Sequence, residues 1–499
     1  MDFVQFLRGQ VRRYGSKTLI FSDEGSISYQ EFDDITDRMA YGLEMMGITG
    51  GDHVAVLHPN SSQCLLSYIA IIKAGGIVVP INYIYTAREV KYLLNNSKSK
   101  AIIAHEAISS LIEEIRDETP NLNHIIVRKG TDTVEVEITD RVGTTLLPIK
   151  ERSFNPEDPA MMFYTSGTIG NPKGVVLTHR CLYFGGPNIA QNYGLKDEDI
   201  TIAVLPMSHV FAIASPFLGS LSSGGSIVVV DRFKPQIIFE MIEKYSVTWF
   251  PGVPTMFIYL LNSLPENTHD LSSLRMGLSG GASLPIEVLK RWEEAFKAEI
   301  IEVYGLTEST GLVTANPVYG IRKSGSVGIN VSGVTVKVVD KDGKELPDGE
   351  VGNLIFKGPN ATKCYFNLPK ETEEKIRNGW IYTGDHAYRD EDGYFFIVGR
   401  EKELIISGGY NIYPKEIEEI LHTHPAVSEV AVIGISDQVK GEVPKAFVCL
   451  KEGITITKER LLEHCKKNLA PYKMPIIEFM KELPKNTTGK IMKKELPRE

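Results

Sequence analysis

One segment, residues 164–175, concentrates the side chains that a phosphate chain would need. It reads YTSGTIGNPKGV and holds three Ser or Thr hydroxyls, three glycines and one lysine, Lys173. Glycines let backbone N–H groups approach a phosphate, hydroxyls donate further hydrogen bonds, and the lysine supplies compensating charge. The P-loop pattern fails because Gly170 is followed by asparagine and proline instead of lysine. Strand-like residues on both sides therefore predict a hairpin loop that cradles a polyphosphate.

Five further segments resemble the core motifs of a known family. They read GGASLP at 280–285, EVYGLTE at 302–308, YTGD at 382–385, GREK at 399–402 and PKNTTGK at 484–490. With the loop at 164–175, their content and order resemble those of the adenylate-forming enzymes, which include acyl-CoA synthetases, peptide-synthetase adenylation domains and beetle luciferases. The six motifs extend over nearly the whole chain. Ile169 departs from the family pattern, which has threonine there, so one hydroxyl donor to the phosphates is missing.

The resemblance implies a nucleotide site in which each residue type has a physical reason. The ring of Tyr304 offers a flat surface for adenine, and small residues in 280–283 let the backbone reach the purine edge. Asp385 can accept two hydrogen bonds from a ribose diol, which Arg400 can also reach. The implied ATP- and AMP-binding residues are Thr165, Ser166, Gly167, Thr168, Gly170, Lys173, Gly281, Ala282, Ser283, Tyr304, Gly305, Thr307, Asp385, Arg400 and Lys490.

The resemblance also implies the charged groups of the reaction. Glu308 with Thr165 and phosphate oxygens would form an oxygen-rich shell for Mg²⁺, the implied metal. Lys490 is implied as the lysine that enters the active site, where a carboxylate meets a triphosphate. Like charges at about 4 Å repel by roughly 4 kcal/mol at an effective dielectric near 20, which a fixed cation offsets. The implied catalytic residues are Lys490, Glu308, Lys173 and His209, and no general base is needed because the acid is already ionised.

The acyl pocket is implied by the segment LPMSHVF at 205–211, in which the family's histidine packs near the substrate carboxylate. The implied pocket residues are His209, Val210, Phe211, Phe250, Gly280, Gly305 and Leu306. The segments that contain these pocket residues are apolar and carry no Arg or Lys placed to bind a second carboxylate, which argues against malonate-type diacids. We therefore expect a medium- to long-chain fatty acid and a role in lipid metabolism. An aryl acid of the coumarate or benzoate type is the alternative.

The resemblance implies two half-reactions in two conformations. The acid attacks ATP to give an acyl-adenylate, and CoA then displaces AMP after a small C-terminal domain rotates about Lys402. Gly408 and Gly409 would let the pantetheine chain of CoA pass close to the backbone. Two other functions stay open: loading of an acyl carrier protein, and a non-catalytic nucleotide-binding regulator.

The elements that position these residues follow an α/β pattern. Strand-like runs at 53–57, 76–79 and 101–104 alternate with helical patterns at 62–73 and 87–95, and a second block has strands at 200–205, 226–230, 247–250 and 275–279. A small antiparallel β element is predicted at 334–339, 353–357 and 394–398. We expect a large N-terminal domain of two α/β subdomains plus this element, residues 1–400, and a small mobile α/β C-terminal domain, residues 401–499.

Composition limits the function further. The chain has 499 residues and a net charge of −9, with no indication of a general nucleic-acid binder. Five scattered cysteines favour reduced, buried thiols, and Arg275 at a strand start is predicted to be structural. The N-terminus lacks a signal-peptide pattern, and the apolar stretch 68–81 is predicted to be a helix followed by a strand instead of a membrane span. We expect a cytoplasmic enzyme whose partners are a carboxylic acid, ATP and CoA; a homodimer stays open.

Overall fold

The computed structural model describes residues 1–128, 152–165, 171–266, 268–486 and 489–498. Its strands are β1 Thr18–Ser22, β2 Gly25–Ser28, β3 His53–Leu57, β4 Ile77–Ile81, β5 Ala101–His105, β6 His124–Arg128, β7 Pro159–Thr165, β8 Lys173–Thr178, β9 Ile200–Ala203, β10 Ser226–Val229, β11 Trp249–Gly252, β12 Met276–Ser279, β13 Glu299–Tyr304, β14 Thr314–Ala315, β15 Ile329–Asn330, β16 Thr335–Val339, β17 Gly352–Lys357, β18 Cys364–Tyr365, β19 Ile376–Arg377, β20 Trp380–Arg389, β21 Phe395–Arg400, β22 Ile405–Ser407, β23 Tyr410–Ile412, β24 Val427–Asp437, β25 Gly441–Leu450 and β26 Ile476–Phe479.

The helices alternate with these strands through the first half of the chain. They are α1 Phe3–Tyr14, α2 Tyr29–Met45, α3 Ser62–Lys73, α4 Ala87–Ser97, α5 Ser109–Ile115, α6 His179–Asn192, α7 Val210–Ala212, α8 Ser220–Ser223, α9 Pro235–Tyr245, α10 Pro254–Ser263, α11 Ile286–Phe296, α12 Pro369–Lys375, α13 Pro414–His422 and α14 Lys458–Asn468. Between α7 and α8, Ile213–Gly219 is π-helical. None of the helices in the described part of the chain is long and apolar enough to cross a membrane.

Two large sheets build the first part of the fold. One has seven strands in the order β18-β8-β7-β4-β3-β5-β6, and the other has nine in the order β15-β14-β13-β12-β11-β9-β10-β1-β2. In the second sheet β9, β11, β12 and β13 are parallel neighbours. Their carboxyl ends therefore meet at one edge, which is where open α/β sheets bind ligands. The predicted α/β fold class is confirmed.

Two smaller sheets follow in the described part of the chain, and both agree with the sequence pattern. The antiparallel sheet β16-β17-β20-β19, with β21 paired to β20, is the predicted small β element. The last sheet runs β23-β22-β25-β24, with β26 added beside β25. Pro414 occupies the first turn of α13, where its missing N–H needs no partner.

One predicted strand is displaced. The sequence predicts a strand at 247–250, whereas β11 is Trp249–Gly252. Helix α9 ends with Ser246 in the left-handed region, at φ 51°, and the N–H of Val247 bonds back to the carbonyl of Ile242. This helix cap uses the first residue of the predicted strand, so pairing begins later.

A buried ion network joins the first three helices. Lys73 of α3 is 2% exposed and bonds to Asp33 across 2.6 Å and to Asp37 across 2.8 Å, both on α2. Arg8 of α1 contacts the same two carboxylates. Removing Asp33 would leave the buried Lys73 and Arg8 to share the single carboxylate of Asp37, which is costly.

The thiols and Arg275 agree with the sequence analysis, with one exception. All five cysteines are free, and four of them are buried. Cys364 is only partly buried, because it lies on β18 at the outer edge of the seven-stranded sheet. Arg275 precedes β12 and pairs with the buried Asp199 across 2.8 Å, which is the predicted structural role.

Candidate active site

The predicted phosphate loop joins the antiparallel strands β7 and β8, so the predicted hairpin is confirmed. Thr165 ends β7 and lies opposite Lys173, which begins β8. Nζ of Lys173 lies 3.8 Å from Oε1 of Glu371 on α12. The loop residues Ser166, Gly167, Thr168 and Gly170 lie outside the described residues.

Four parallel strand ends deliver most of the other predicted residues to one edge of the nine-stranded sheet. The segment 205–211 follows β9, residues 253–255 follow β11, residues 280–283 follow β12, and residues 305–308 follow β13. Strand pairing alone thus brings the predicted acyl, adenine and metal segments together, although they are up to 103 positions apart. The site is built at the carboxyl ends of the strands, as expected for this class of sheet.

Glycines shape two of these segments. Gly281 has a φ of 81°, which strongly favours glycine, and Gly281, Ala282 and Ser283 are exposed to solvent after β12. At Gly305 a Cβ atom would lie 2.0 Å from the carbonyl oxygen of Gly311. No side chain fits there, so the backbone after Tyr304 can turn closely into residues 306–308.

The predicted adenine and ribose residues form one hydrogen-bonded group. Tyr304 donates from its hydroxyl to Oδ2 of Asp385 across 2.6 Å, and Nε of Arg400 lies 3.3 Å from Oδ1 of the same carboxylate. Asp385 and Arg400 are direct cross-strand neighbours on β20 and β21. Burial would lower the pKa of Arg400, but the charges of Asp385, Glu403 and other anionic groups outweigh it and raise that pKa.

Glu308 lies on the short turn Thr307–Ser309, directly after the β13 segment. Its Oε1 accepts a hydrogen bond from the hydroxyl of Tyr365 across 2.6 Å. Burial and the Glu308 charge raise the pKa of Tyr365, so the phenol remains a donor. Within the described ranges there is no cluster of three or more His, Cys, Asp or Glu side chains that could hold a metal. A single carboxylate with the Thr165 hydroxyl suits Mg²⁺, which keeps few protein ligands and takes phosphate oxygens.

Lys490, in the last segment of the chain, interacts electrostatically with Arg400 and Asp385 of the same group. Oδ1 of Asn486 accepts from the Lys490 N–H across 2.9 Å. Gly489 packs against α10, where its carbonyl accepts from the Thr255 hydroxyl across 3.3 Å. Burial and the charge of Arg400 lower the pKa of Lys490 to about 8, although the carboxylates of Asp385 and Glu403 oppose the change.

The predicted acyl-pocket residues lie beside the group formed by Tyr304, Asp385 and Arg400. His209 precedes α7, and burial lowers its pKa to about 4, so its imidazole is neutral at pH 7. Phe211, Leu306 and Tyr304 pack against the same hydrophobic cluster. A methyl group on Gly280 would lie 3.3 Å from the Phe211 ring.

The remaining predicted residues differ in their surroundings. Val210 is buried at the start of α7, and Phe250 is fully buried in the core against Phe257, with ring centroids 5.6 Å apart. Lys402 lies on the exposed turn Glu401–Glu403. Gly408 and Gly409 form the exposed turn between β22 and β23, with φ values of 56° and 85° that favour glycine at both positions.

Two residues of the site were not predicted. Tyr365 is 57 positions from Glu308, and no local pattern links them. Glu302 lies on β13 and is 6% exposed. The sequence signal that could have identified it is an acidic residue between apolar residues of a buried strand. Burial raises the pKa of Glu302 to about 7, against the opposing effects of the Lys415 ammonium and the N–H groups of Leu284 and Gly325.

Comparison with known proteins agrees with this geometry. The AMP-binding enzyme family model matches residues 7–366, and the model of the AMP-binding enzyme C-terminal domain matches residues 416–490. The chain belongs to the AMP-binding enzyme family. This confirms the resemblance drawn from the six motifs, and places the chain among adenylate-forming acyl- and aryl-CoA ligases.

Relatives within this family cover nearly the whole chain. A long-chain-fatty-acid–CoA ligase of Bacillus subtilis (strain 168) is 36% identical, over 96% of this chain and 92% of the relative. A crystal structure of the anthranilate CoA ligase AuaEII in complex with anthranoyl-AMP superposes with a TM-score of 0.90 at 30% identity, covering 98% of this chain and 95% of that one. ATP-bound MatB from Rhodopseudomonas palustris has a TM-score of 0.90 at 32% identity, covering 99% and 98%.

Proposed function

We propose that this protein is an ATP-dependent acyl-CoA synthetase. It would convert a carboxylic acid, ATP and CoA into acyl-CoA, AMP and diphosphate through an acyl-adenylate. The observation that carries the proposal is that Lys490 lies within electrostatic range of Arg400 and Asp385, the carboxylate to which Tyr304 donates. A cation beside donors and acceptors that suit a nucleotide can offset the repulsion when one anion attacks another.

In the first half-reaction a carboxylate oxygen of the acid attacks the α-phosphorus of ATP, and diphosphate leaves. Asp385 and Arg400 would hold the ribose, with the adenine on the face of Tyr304. Lys173 and the loop at 165–173 would hold the phosphates, and Lys490 would offset the repulsion between carboxylate and phosphate. Mg²⁺, held by Glu308 and Thr165, would neutralise phosphate charge.

In the second half-reaction the sulfur of CoA attacks the acyl carbon, and AMP leaves. The residues 401–499 would turn about Lys402 as a mobile domain, which would withdraw Lys490 from the site. The exposed turn of Gly408 and Gly409 would then face the pantetheine chain, for which a turn without Cβ atoms leaves room. The family match at 416–490 supports a separate C-terminal unit.

The acid we propose is a medium- to long-chain fatty acid. Support comes from the apolar surroundings of Phe211 and Leu306, and from a full-length relative named as a long-chain-fatty-acid–CoA ligase. His209, which is neutral at pH 7, would add no positive charge to the pocket. An aryl acid is the second candidate, because the anthranilate CoA ligase structure superposes over nearly the whole chain.

A panel of octanoate, palmitate, benzoate and coumarate tests the acid in an assay of diphosphate release. We expect the two fatty acids to give the highest kcat/KM, and a preference for benzoate or coumarate would favour the aryl candidate. AMP release is measured with CoA and without any carrier protein. Release that requires an acyl carrier protein would contradict a CoA ligase, and tight ATP binding without turnover of any acid would contradict an enzyme.

A further inference from the structure

A segment outside the nucleotide group holds the predicted metal carboxylate from two sides. The Tyr365 hydroxyl donates to Oε1 of Glu308 across 2.6 Å. The backbone N–H of Thr362 donates to the carbonyl oxygen of Glu308 across 2.7 Å. Both the main chain and the side chain of Glu308 are therefore restrained by residues 362–365.

The same segment is attached to the strand that leaves the predicted phosphate loop. Tyr365 lies opposite Val175 in the pairing of β18 with β8. The Thr362 hydroxyl donates to the carbonyl of Val176 across 2.7 Å. Since Lys173 begins β8, this attachment links the location of the Glu308 carboxylate to that of the predicted phosphate-binding lysine.

The tyrosine itself is fixed in place. The residue is 8% exposed, and its backbone N–H donates to the Thr372 hydroxyl in α12 across 3.0 Å. A packed ring holds its hydroxyl in one position, and a bond from that hydroxyl restricts the flexible side chain of Glu308 to few rotamers. A carboxylate that is already oriented loses less entropy when it binds a cation.

We propose that Tyr365 is a positioning residue for the cation site, which holds Glu308 through Oε1 and leaves Oε2 for Mg²⁺. The inference rests on the proposed function, in which Glu308 is the metal ligand. A neutral phenol suits this role because it donates a hydrogen bond without adding positive charge. A lysine or arginine at the same place would repel the cation.

The test is Tyr365→Phe, which removes the hydroxyl and keeps the packed ring. Mg²⁺ is titrated by calorimetry into full-length protein saturated with α,β-methylene-ATP, which the enzyme cannot cleave. We expect the Mg²⁺ affinity to fall about tenfold, because a hydrogen bond to a charged group is lost. Nucleotide affinity measured in EDTA should stay unchanged, because the tyrosine acts on the metal ligand.

Tyr29→Phe is the matched control. It also removes one buried hydroxyl, which donates to the carbonyl of Gly225 across 2.8 Å in a different part of the molecule. This variant should keep the Mg²⁺ affinity of the wild type. In a Glu308→Gln background, Tyr365→Phe should cause no further loss of Mg²⁺ affinity, since the two changes act through one carboxylate.

Three outcomes would overturn the inference. They are an unchanged Mg²⁺ affinity in Tyr365→Phe, an equal loss of nucleotide affinity in EDTA, and full additivity with Glu308→Gln. The second would show that Tyr365 supports the fold and not the cation. Failure of the proposed function is distinguishable: a wild type that binds the Mg²⁺–nucleotide complex yet adenylates no acid overturns the proposed function and leaves the role of Tyr365 standing.

Discussion

The charge of Lys490 should set the alkaline limit of adenylation. Burial and the neighbouring Arg400 lower the pKa of Lys490 to about 8 in the free enzyme. The ammonium is therefore present at pH 7 and is lost as the pH rises through 8. Because kcat/KM reports the protonation of the free enzyme, kcat/KM for ATP should fall with an apparent pKa near that value.

The magnitude follows from the protonated fraction. If only the charged lysine supports adenylation, about one molecule in eleven remains competent one pH unit above the pKa, so kcat/KM falls about tenfold. Lys490→Ala removes the charge completely. The lost interaction amounts to about 4 kcal/mol at 4 Å and an effective dielectric near 20, which corresponds to a roughly 10³-fold lower rate of adenylation. Thioester formation from a supplied acyl-adenylate should be spared in this variant, since Lys490 acts only in the first half-reaction.

The assay is single-turnover diphosphate release at subsaturating ATP, whose second-order rate constant corresponds to kcat/KM; CoA is left out because its thiol titrates in the same pH range. Lys490→Arg is the matched variant, since a guanidinium stays charged and should remove the alkaline decline wherever adenylation remains measurable. Lys490→Ala should show no decline near pH 8 at its low rate. An alkaline decline that persists unchanged in Lys490→Ala would refute the assignment, as would equal losses in both half-reactions.

Three further predictions concern stability. Asp33→Ala removes a carboxylate from the buried lysine between α2 and α3 and should lower the free energy of unfolding by about 3–5 kcal/mol in urea, whereas the exposed Asp34→Ala should change it by less than about 0.5 kcal/mol. The folded protein keeps a proton on Glu302 up to about pH 7, whereas the unfolded chain keeps it only up to about pH 4.5, so the free energy of unfolding should fall as the pH rises between these values. In Glu302→Gln this pH-dependent fall should be smaller by up to about 3 kcal/mol. A variant with the same pH dependence as the wild type would contradict the assignment. Gly305→Ala should abolish ATP binding or lower the melting temperature, because the new Cβ would lie 2.0 Å from a backbone oxygen. Gly9→Ala, in open space on α1, should change neither property. An alanine at 305 that changes neither would show that the turn can relax.

Local patterns made a large part of the fold predictable. Helix α3 spans the predicted 62–73, and the phosphate loop is the predicted hairpin, because each depends on residues close together in the chain. The small β element and the pairing of Asp385 with Arg400 also agree with motif and turn signals. In contrast, the start of β11 depends on how the cap of α9 uses Val247, which the strand pattern alone does not show.

The unpredicted parts of the site depend on contacts between distant segments. The bond from Tyr365 to Glu308 exists because β18 pairs with β8, and Thr362 and Val176 of that junction are 186 positions apart. The protonation of Glu302 depends on its burial and on the charge of Lys415, which belongs to α13. Such contacts between distant segments have no local sequence signal, even where the motif itself is recognisable.

The central claim is that a carboxylate oxygen of the acid becomes bonded to the α-phosphorus of the nucleotide. It is tested most directly with palmitate labelled with oxygen-18 in both carboxylate oxygens, incubated with ATP and CoA, followed by mass spectrometry of the AMP released. The account predicts that each AMP carries one labelled oxygen, since the bridging oxygen leaves with the phosphate. Acyl-CoA formed together with wholly unlabelled AMP would contradict it.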